Sequence, residues 1–239
     1  MRKYVFSASS PQKYDTGKII KVILNCPSMQ WLFPIKMLLG RAKFHHFETP
    51  DELDMMRIAK EIQDVDPYLS DTKTISFRAI GQNVNCTISL KLEENPFMTS
   101  DLILEIYQKE NPRWEEQLGY LRQMLLELIP IFQVQAAIFY DPHPKPFQKT
   151  WLKITPYYRP KGYVGWMFYY VKEVVEAIGC ERFETLSVSH EKQEINGGYF
   201  IPLQADIMDW EQEAHRLREE QAIAELGLER FIKTKIAPP

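Results

Sequence analysis

The spacing of apolar and polar positions changes several times along the chain, and each change marks an element. "KIIKVILN" (residues 18–25) is a run of β-branched residues and reads as a strand. "PSMQWLFPIKMLL" is apolar, interrupted by Pro34 and closed by Gly40. It fits either a short helix at the edge of a core or an exposed docking segment. "TPDELDMMRIAKEIQDV" predicts a helix, because Thr49 can cap it, Pro50 suits the first turn and Glu52 stands three positions after the cap. Three strand-like runs follow, "TISFRAI", "NVNCTISLKLEE" and "DLILEIYQKE", separated by the turn signals "IGQN" and "NPFMTS". Together they predict an antiparallel meander.

The clearest helical period lies in "NPRWEEQLGYLRQMLLELIPIF". Trp114, Leu118, Leu121, Leu125 and Leu128 recur at alternating spacings of 4 and 3, which gives one apolar face. Asn111 and Pro112 suit its start, and Pro130 its stop. "FQVQAAIFYD" then reads as a strand entering the proline-rich turn "DPHPKP". In "GYVGWMFYY" a strand would put Trp166, Phe168 and Tyr170 on one face and Met167 and Tyr169 on the other. One set would fill a core, and the other would lie under a helix or at a partner surface. Gly162 and Gly165 would permit a turn and a close backbone approach.

"VKEVVEAIG" predicts a short helix ended by Gly179 in a left-handed cap. "ETLSVS" and "GYFIPL" read as strands around the turn signal "EKQEINGG". A last helix begins near Asp209, with Trp210, Ala214, Leu217, Gln221, Ala224 and Leu228 along one side. Strands and helices are interspersed without a regular βαβ repeat. The expected class is therefore α+β, a mainly antiparallel sheet with helices packed against it. No linker composition interrupts the chain, so residues 1–239 read as a single domain.

Composition adds limits. Apolar residues make up 45% and charged residues 26% of the 239, as in ordinary globular proteins. The net charge of −3 argues against a general nucleic-acid binder. The cysteines, Cys26, Cys86 and Cys180, are odd in number and far apart, which fits free thiols in a reducing compartment rather than a disulfide framework or a zinc site. "MRKYVFSASSPQKY" has no apolar core of signal-peptide type, and no run of 18 apolar residues exists. A cytoplasmic protein without a membrane span is expected.

Signals for catalysis are weak. No phosphate-binding glycine loop, nucleophile elbow or HExxH motif is present. His45 and His46 would point opposite ways on a strand and do not make a metal pair. Asp141 and His143 in "DPHP" could serve as an acid/base pair of a small hydrolase, yet the flanking prolines read more simply as turn chemistry. No cofactor and no metal is expected.

Carboxylates are more suggestive. Residues 48–66 hold seven acids, Glu48, Asp51, Glu52, Asp54, Glu61, Asp64 and Asp66, against Arg57 and Lys60, and residues 206–220 form a second acid-rich region. Such patches are either solvated helix faces or surfaces that meet a basic partner. A protein that blocks a cationic toxin such as a nuclease needs a surface of the second kind. Aromatic side chains beside it would supply anchoring energy.

"GYVGWMFYY", preceded by a helix, a strand and a proline-rich turn and followed by an acidic helix, resembles the bacterial immunity proteins paired with restriction-endonuclease-like DNase toxins of type VI secretion and other polymorphic toxin systems. That family carries a Gly-Trp-hydrophobic-aromatic segment after a helix–strand unit, and a polar helix closes it. The matching residues are Gly165, Trp166, Met167 and Tyr169, with Trp114 and Asp209 in corresponding places. The likeness spans roughly residues 75–228 and rests on one short motif plus element order; residues 1–70 have no counterpart. It implies a non-catalytic protein that binds and occludes a basic, nuclease-like toxin of the same cell. The expected partner-binding residues are Asp51, Glu52, Asp54, Asp64, Asp66, Tyr163, Trp166, Tyr169, Asp209, Glu213 and Glu220. A phage or structural interaction protein is the remaining alternative.

Overall fold

A computed structural model of the chain describes residues 3–12, 14, 16–39, 43–52, 73–80, 84–92, 100–108, 114–140, 151–152, 164–206, 209 and 211–233. The chain forms two compact units, Met1–Val134 and Gln135–Pro239. Each is α+β, with antiparallel sheet and helices.

The first unit holds a six-stranded antiparallel sheet. Its strands are β1 (Lys3–Ser10), β2 (Ile35–Leu39), β3 (Lys43–Phe47), β4 (Lys73–Ile80), β5 (Val84–Leu92) and β6 (Ser100–Gln108), in the spatial order β1-β6-β5-β4-β2-β3. The expected meander is β4-β5-β6, with Ile80 opposite Asn85 and Ile88 opposite Leu104. β1 is an element that the sequence reading passed over. "KYVFSASS" alternates, and Tyr4, Phe6 and Ala8 are all buried. They stand opposite Ile106, Leu104 and Leu102 of β6, so one face of the pair is a continuous apolar stripe.

"KIIKVILN" is not a strand but most of helix α1 (Thr16–Leu24). Ile19 and Ile23 are buried, while Lys21 and Val22 between them are exposed. That four-residue recurrence is helical, and burial along one face outweighs the β preference of the branched residues. A 3-10 turn, Pro27–Leu32, leads into β2, so "PSMQWLFPIKMLL" divides between a turn and a strand. The described part of the "TPDELDMM" helix is a 3-10 turn, Pro50–Glu52, in which Glu52 Oε2 accepts the backbone N–H of Glu48, 2.9 Å away.

Helix α2 (Trp114–Ile131) buries Leu121, Leu125 and Leu128 as its spacing predicts, together with Met124 and Ile129. Asn111 and Pro112 lie outside the described residues. Pro130 does not stop this helix. The helix ends one residue later, where Gln133 turns left-handed at φ 40° and the N–H of Val134 reaches back to the carbonyl of Ile129. A carboxylate then ties α2 to the 3-10 turn. Glu127 accepts the N–H of Ser28 at 3.0 Å, the Ser28 hydroxyl at 2.5 Å and the Gln123 amide at 3.1 Å. Nearby, Tyr14 stacks on Phe132 and donates its hydroxyl hydrogen to the Phe132 carbonyl.

The second unit is built on β7 (Ala136–Tyr140), β9 (Met167–Tyr170), β10 (Gln193–Ile195) and β11 (Gly198–Pro202), antiparallel in the order β10-β11-β9-β7. A separate two-stranded pair joins β8 (Trp151–Leu152) to β12 (Ile232–Lys233). The β10–β11 hairpin closes through Asn196 (φ 53°) and Gly197 (φ 78°), the paired left-handed conformation that "NG" predicts. Helices α3 (Lys172–Ile178), α4 (Cys180–Glu184) and α5 (Glu213–Leu226) complete the unit.

Three expectations change here. Gly179 does end α3 with a positive φ, but at φ 117° and ψ 113° it is not the left-handed cap. "ETLSVS" is no strand; after α4 it forms a turn fastened by side chains. The inward face of α5 carries Glu219, Ala222, Ile223 and Leu226, whereas Ala214, Leu217, Gln221 and Ala224 of the predicted stripe are exposed. A buried carboxylate, Glu219, stands in the inward stripe and disguises it.

The strand β9 is buried along its whole length. Phe168 packs on Tyr170, Tyr170 meets Phe183 of α4 edge-on, and Phe183 stacks on Tyr199 of β11. Entry into β9 is through Gly165, at φ 62°, where an added Cβ would lie 2.5 Å from the carbonyl oxygen of Phe139. Only glycine satisfies both the dihedral and the approach. Gly165→Ala should therefore lower the free energy of unfolding by more than about 1 kcal/mol. Chemical denaturation reads this directly, and an unchanged midpoint would show that the β7–β9 contact yields without cost.

Candidate functional site

Among the described residues, a concave surface lies wholly within the second unit. It has a volume of about 650 Å³. One wall is the segment Ser187–His190, and the other is Ala214, Leu217, Arg218 and Gln221 of α5, with buried Leu203 between them. Both walls are held by hydrogen bonds that start in the local sequence. The first wall follows α4, where Thr185 folds its hydroxyl back onto the carbonyl of Glu181 and Ser189 onto that of Leu186. His190 donates its backbone N–H to Pro202, the last residue of β11.

The second wall is fastened to the first by Glu225. Its carboxylate accepts the N–H of Ser187 at 2.7 Å and the Ser187 hydroxyl at 2.6 Å. Gln221 donates to the same carboxylate at 2.7 Å. Burial alone would raise the pKa of Glu225, but the Ser187 and Gln221 hydrogen bonds outweigh it and hold the carboxyl below its usual range. Arg218 reaches across to the carbonyl of Leu203 at 3.3 Å. The C-terminal end of α5 is closed by Gly227 in the left-handed conformation, where Arg182 donates to the carbonyl of Glu225.

The approach to α5 is ordered by a polar cluster. Trp166 Nε1 donates to the carbonyl of Gln204, and the Gln204 amide donates to the carbonyl of Asp206. Asp209 gives its backbone N–H to His215 Nδ1 at 2.7 Å and accepts the N–H of Glu211 on its carboxylate. The groove thus offers hydroxyls, an imidazole, a guanidinium and an amide around Leu217, which is 55% exposed. Among the described residues no group of three His, Cys, Asp or Glu side chains is placed to hold a metal ion, and no helix is long and apolar enough to cross a membrane.

The expected partner-binding residues fall into separate places. Asp51 and Glu52 are exposed in the first unit. Asp54, Asp64, Asp66 and Tyr163 lie outside the described residues, as do Asp141 and His143. Glu213 and Glu220 are exposed on α5, and Asp209 is half-buried just before it. Trp166 and Tyr169 are buried in the second unit, so their rings belong to its core and not to an exposed surface. Trp166 meets Phe139 edge-on, and burial, helped by nearby Glu173, pushes the Tyr169 hydroxyl up to about 12. His46 sits on β3 beside Glu48, at 3.7 Å in the open.

Sequence reading did not find the Ser187–His190 wall or the Glu225 clamp. Serines in "TLSVSH" carry no spacing signal, and their acid partner is 38 positions away. Leu217 and Gln221 stand in the row along one side of the last helix, which by itself does not point to a groove.

Comparison with known proteins gives a fold and little else. No family model and no curated protein matches the chain. Among solved structures it is similar to the Pseudomonas aeruginosa T6SS protein PA0821, with a TM-score of 0.58 and 12% sequence identity, over 96% of this chain and 73% of that one. The likeness is one of fold, and it is to a protein of type VI secretion.

The clamp makes a pH prediction. The folded-state pKa of Glu225 is depressed, so its stabilisation is present above the unfolded-state value and is lost as pH falls through the folded-state value. Ser187→Ala removes the hydroxyl donor and should raise that carboxyl toward its ordinary pKa. Side-chain NMR titration of Glu225 in both proteins tests it; superimposable titration curves would show that the clamp does not act on the carboxylate.

Proposed function

We propose that this chain is an immunity protein, which binds a cognate toxin of a type VI secretion system in the cytoplasm and blocks the toxin's active site. The observation that carries this reading is the likeness of fold, over 96% of the chain, to a T6SS protein. The Gly165–Tyr169 segment and its element order, similar to those of immunity proteins for DNase toxins, support it independently.

Charge gives the partner its character. Residues 164–233 hold 14 acidic and 7 basic side chains, although the whole chain is only −3. A nuclease carries cationic side chains where it holds phosphate, and an excess of carboxylates is suited to cover them. No catalytic step of its own is assigned to the chain in this reading, which needs binding alone.

The test is co-expression. The protein encoded next to this chain's gene, produced alone in a bacterial host, should stop growth and degrade DNA. Production of this chain in the same cell should restore growth, and the two should purify as a stoichiometric complex. Growth arrest that continues at full expression of the folded chain, or arrest relieved by the chain without any complex, would overturn the proposal.

A further inference from the structure

The groove beside α5 has a feature that the fold does not require. Leu217 is 55% exposed, the most exposed large apolar side chain among the described residues and the one in the second unit. It lies in the wall of the groove, not on an isolated bulge. On a helix its surface neighbours are the residues three and four positions away. Those are Glu213 and Glu220, both exposed, with Ala214 and Gln221 on the groove side. Glu211 is also exposed just before the helix. An apolar contact point is thus set between carboxylates, and the cation in the lining, Arg218, is turned to the carbonyl of Leu203.

The second unit as a whole has the same sign. Residues 164–233 carry 14 acids against 7 bases, and Glu184, Glu194 and Asp206 are exposed along with Lys192. The groove walls are already braced by the Ser187–Glu225–Gln221 hydrogen bonds, so an occupant meets a preformed surface.

We infer that the groove between Ser187–His190 and α5 is the docking surface for the toxin, and that it takes a basic segment of that toxin whose apolar side chain seats on Leu217. This rests on the immunity reading above and goes beyond it by assigning the surface, the anchor and the chemistry of the bound segment. Carboxylates at Glu213 and Glu220 would pair with lysines or arginines flanking the seated side chain. Such flanking charges mainly govern the association rate, and the apolar anchor mainly governs dissociation.

Two variants test it against the purified product of the neighbouring gene. Leu217→Arg changes an exposed position and should leave thermal unfolding unchanged, which circular dichroism verifies. It should weaken binding by at least about tenfold, chiefly through faster dissociation. Glu213→Lys with Glu220→Lys should slow association and flatten its dependence on salt. If wild type protects and both variants bind within about twofold of it, the groove is not the docking surface, while the immunity function stands. If Leu217→Arg weakens binding but the charge-reversed variant associates like wild type at every salt concentration, the partner segment is not basic. A concentration-dependent dimer of the chain alone that Leu217→Arg abolishes would make the occupant a second copy and overturn the proposal. Absence of any binding by wild type would overturn the function and this surface together.

Discussion

Every side chain from Trp166 to Tyr170 is buried, and a strand with no solvent face must be packed from both sides at once. The second unit is arranged around that constraint. β7 and β11 flank β9, with Ile138 and Ile201 both opposite Phe168. α4 contributes Phe183, which is fully buried and touches both Tyr170 and Tyr199. The chain can bring strands this close only where side chains are missing. Gly165 gives way to the Phe139 carbonyl, and Gly198 to the Tyr170 carbonyl. The concentration of aromatic residues around glycines in "GYVGWMFYY" is therefore a packing solution before it is anything else.

The two units share one device for holding irregular chain against helix. In each, a glutamate late in a helix takes both the N–H and the hydroxyl of a serine in a turn: Glu127 with Ser28, and Glu225 with Ser187. Each carboxylate also accepts the amide of a glutamine four residues earlier on its own helix. In both cases burial works to raise the pKa and the hydrogen bonds overcome it. These contacts are directional, and they fix the position of each turn against its helix.

Where a single period governed a segment, the sequence was readable. The β4-β5-β6 meander, the Leu121–Leu125–Leu128 stripe and the Asn196–Gly197 hairpin all follow from local pattern. The reading failed where composition and period disagreed. α1 is rich in isoleucine and valine, so its helical spacing was hidden by residue type. α5 buries Glu219, so its inward stripe does not read as apolar in the sequence. Leu217 reads as one member of a row along the last helix, and nothing in that row marks a groove. The groove's other wall depends on hydrogen bonds between residues remote in the chain, which no local pattern reports. The boundary between the two compact units after Val134 has no compositional mark, since "FQVQAAIFYD" passes through it without proline, glycine or serine.

The position of β9 also bears on the entropic cost of assembling the second unit. Its partners are remote: Phe168 pairs with Ile138 on one side and with Ile201 on the other. The β10–β11 hairpin, by contrast, closes over two residues, and α3 and α5 form from contacts within a few positions. Closing the two long intervals costs chain entropy before any of the aromatic contacts is gained. The pairing of the central strand with its two neighbours therefore carries a larger entropic cost than the local hairpin and helices do.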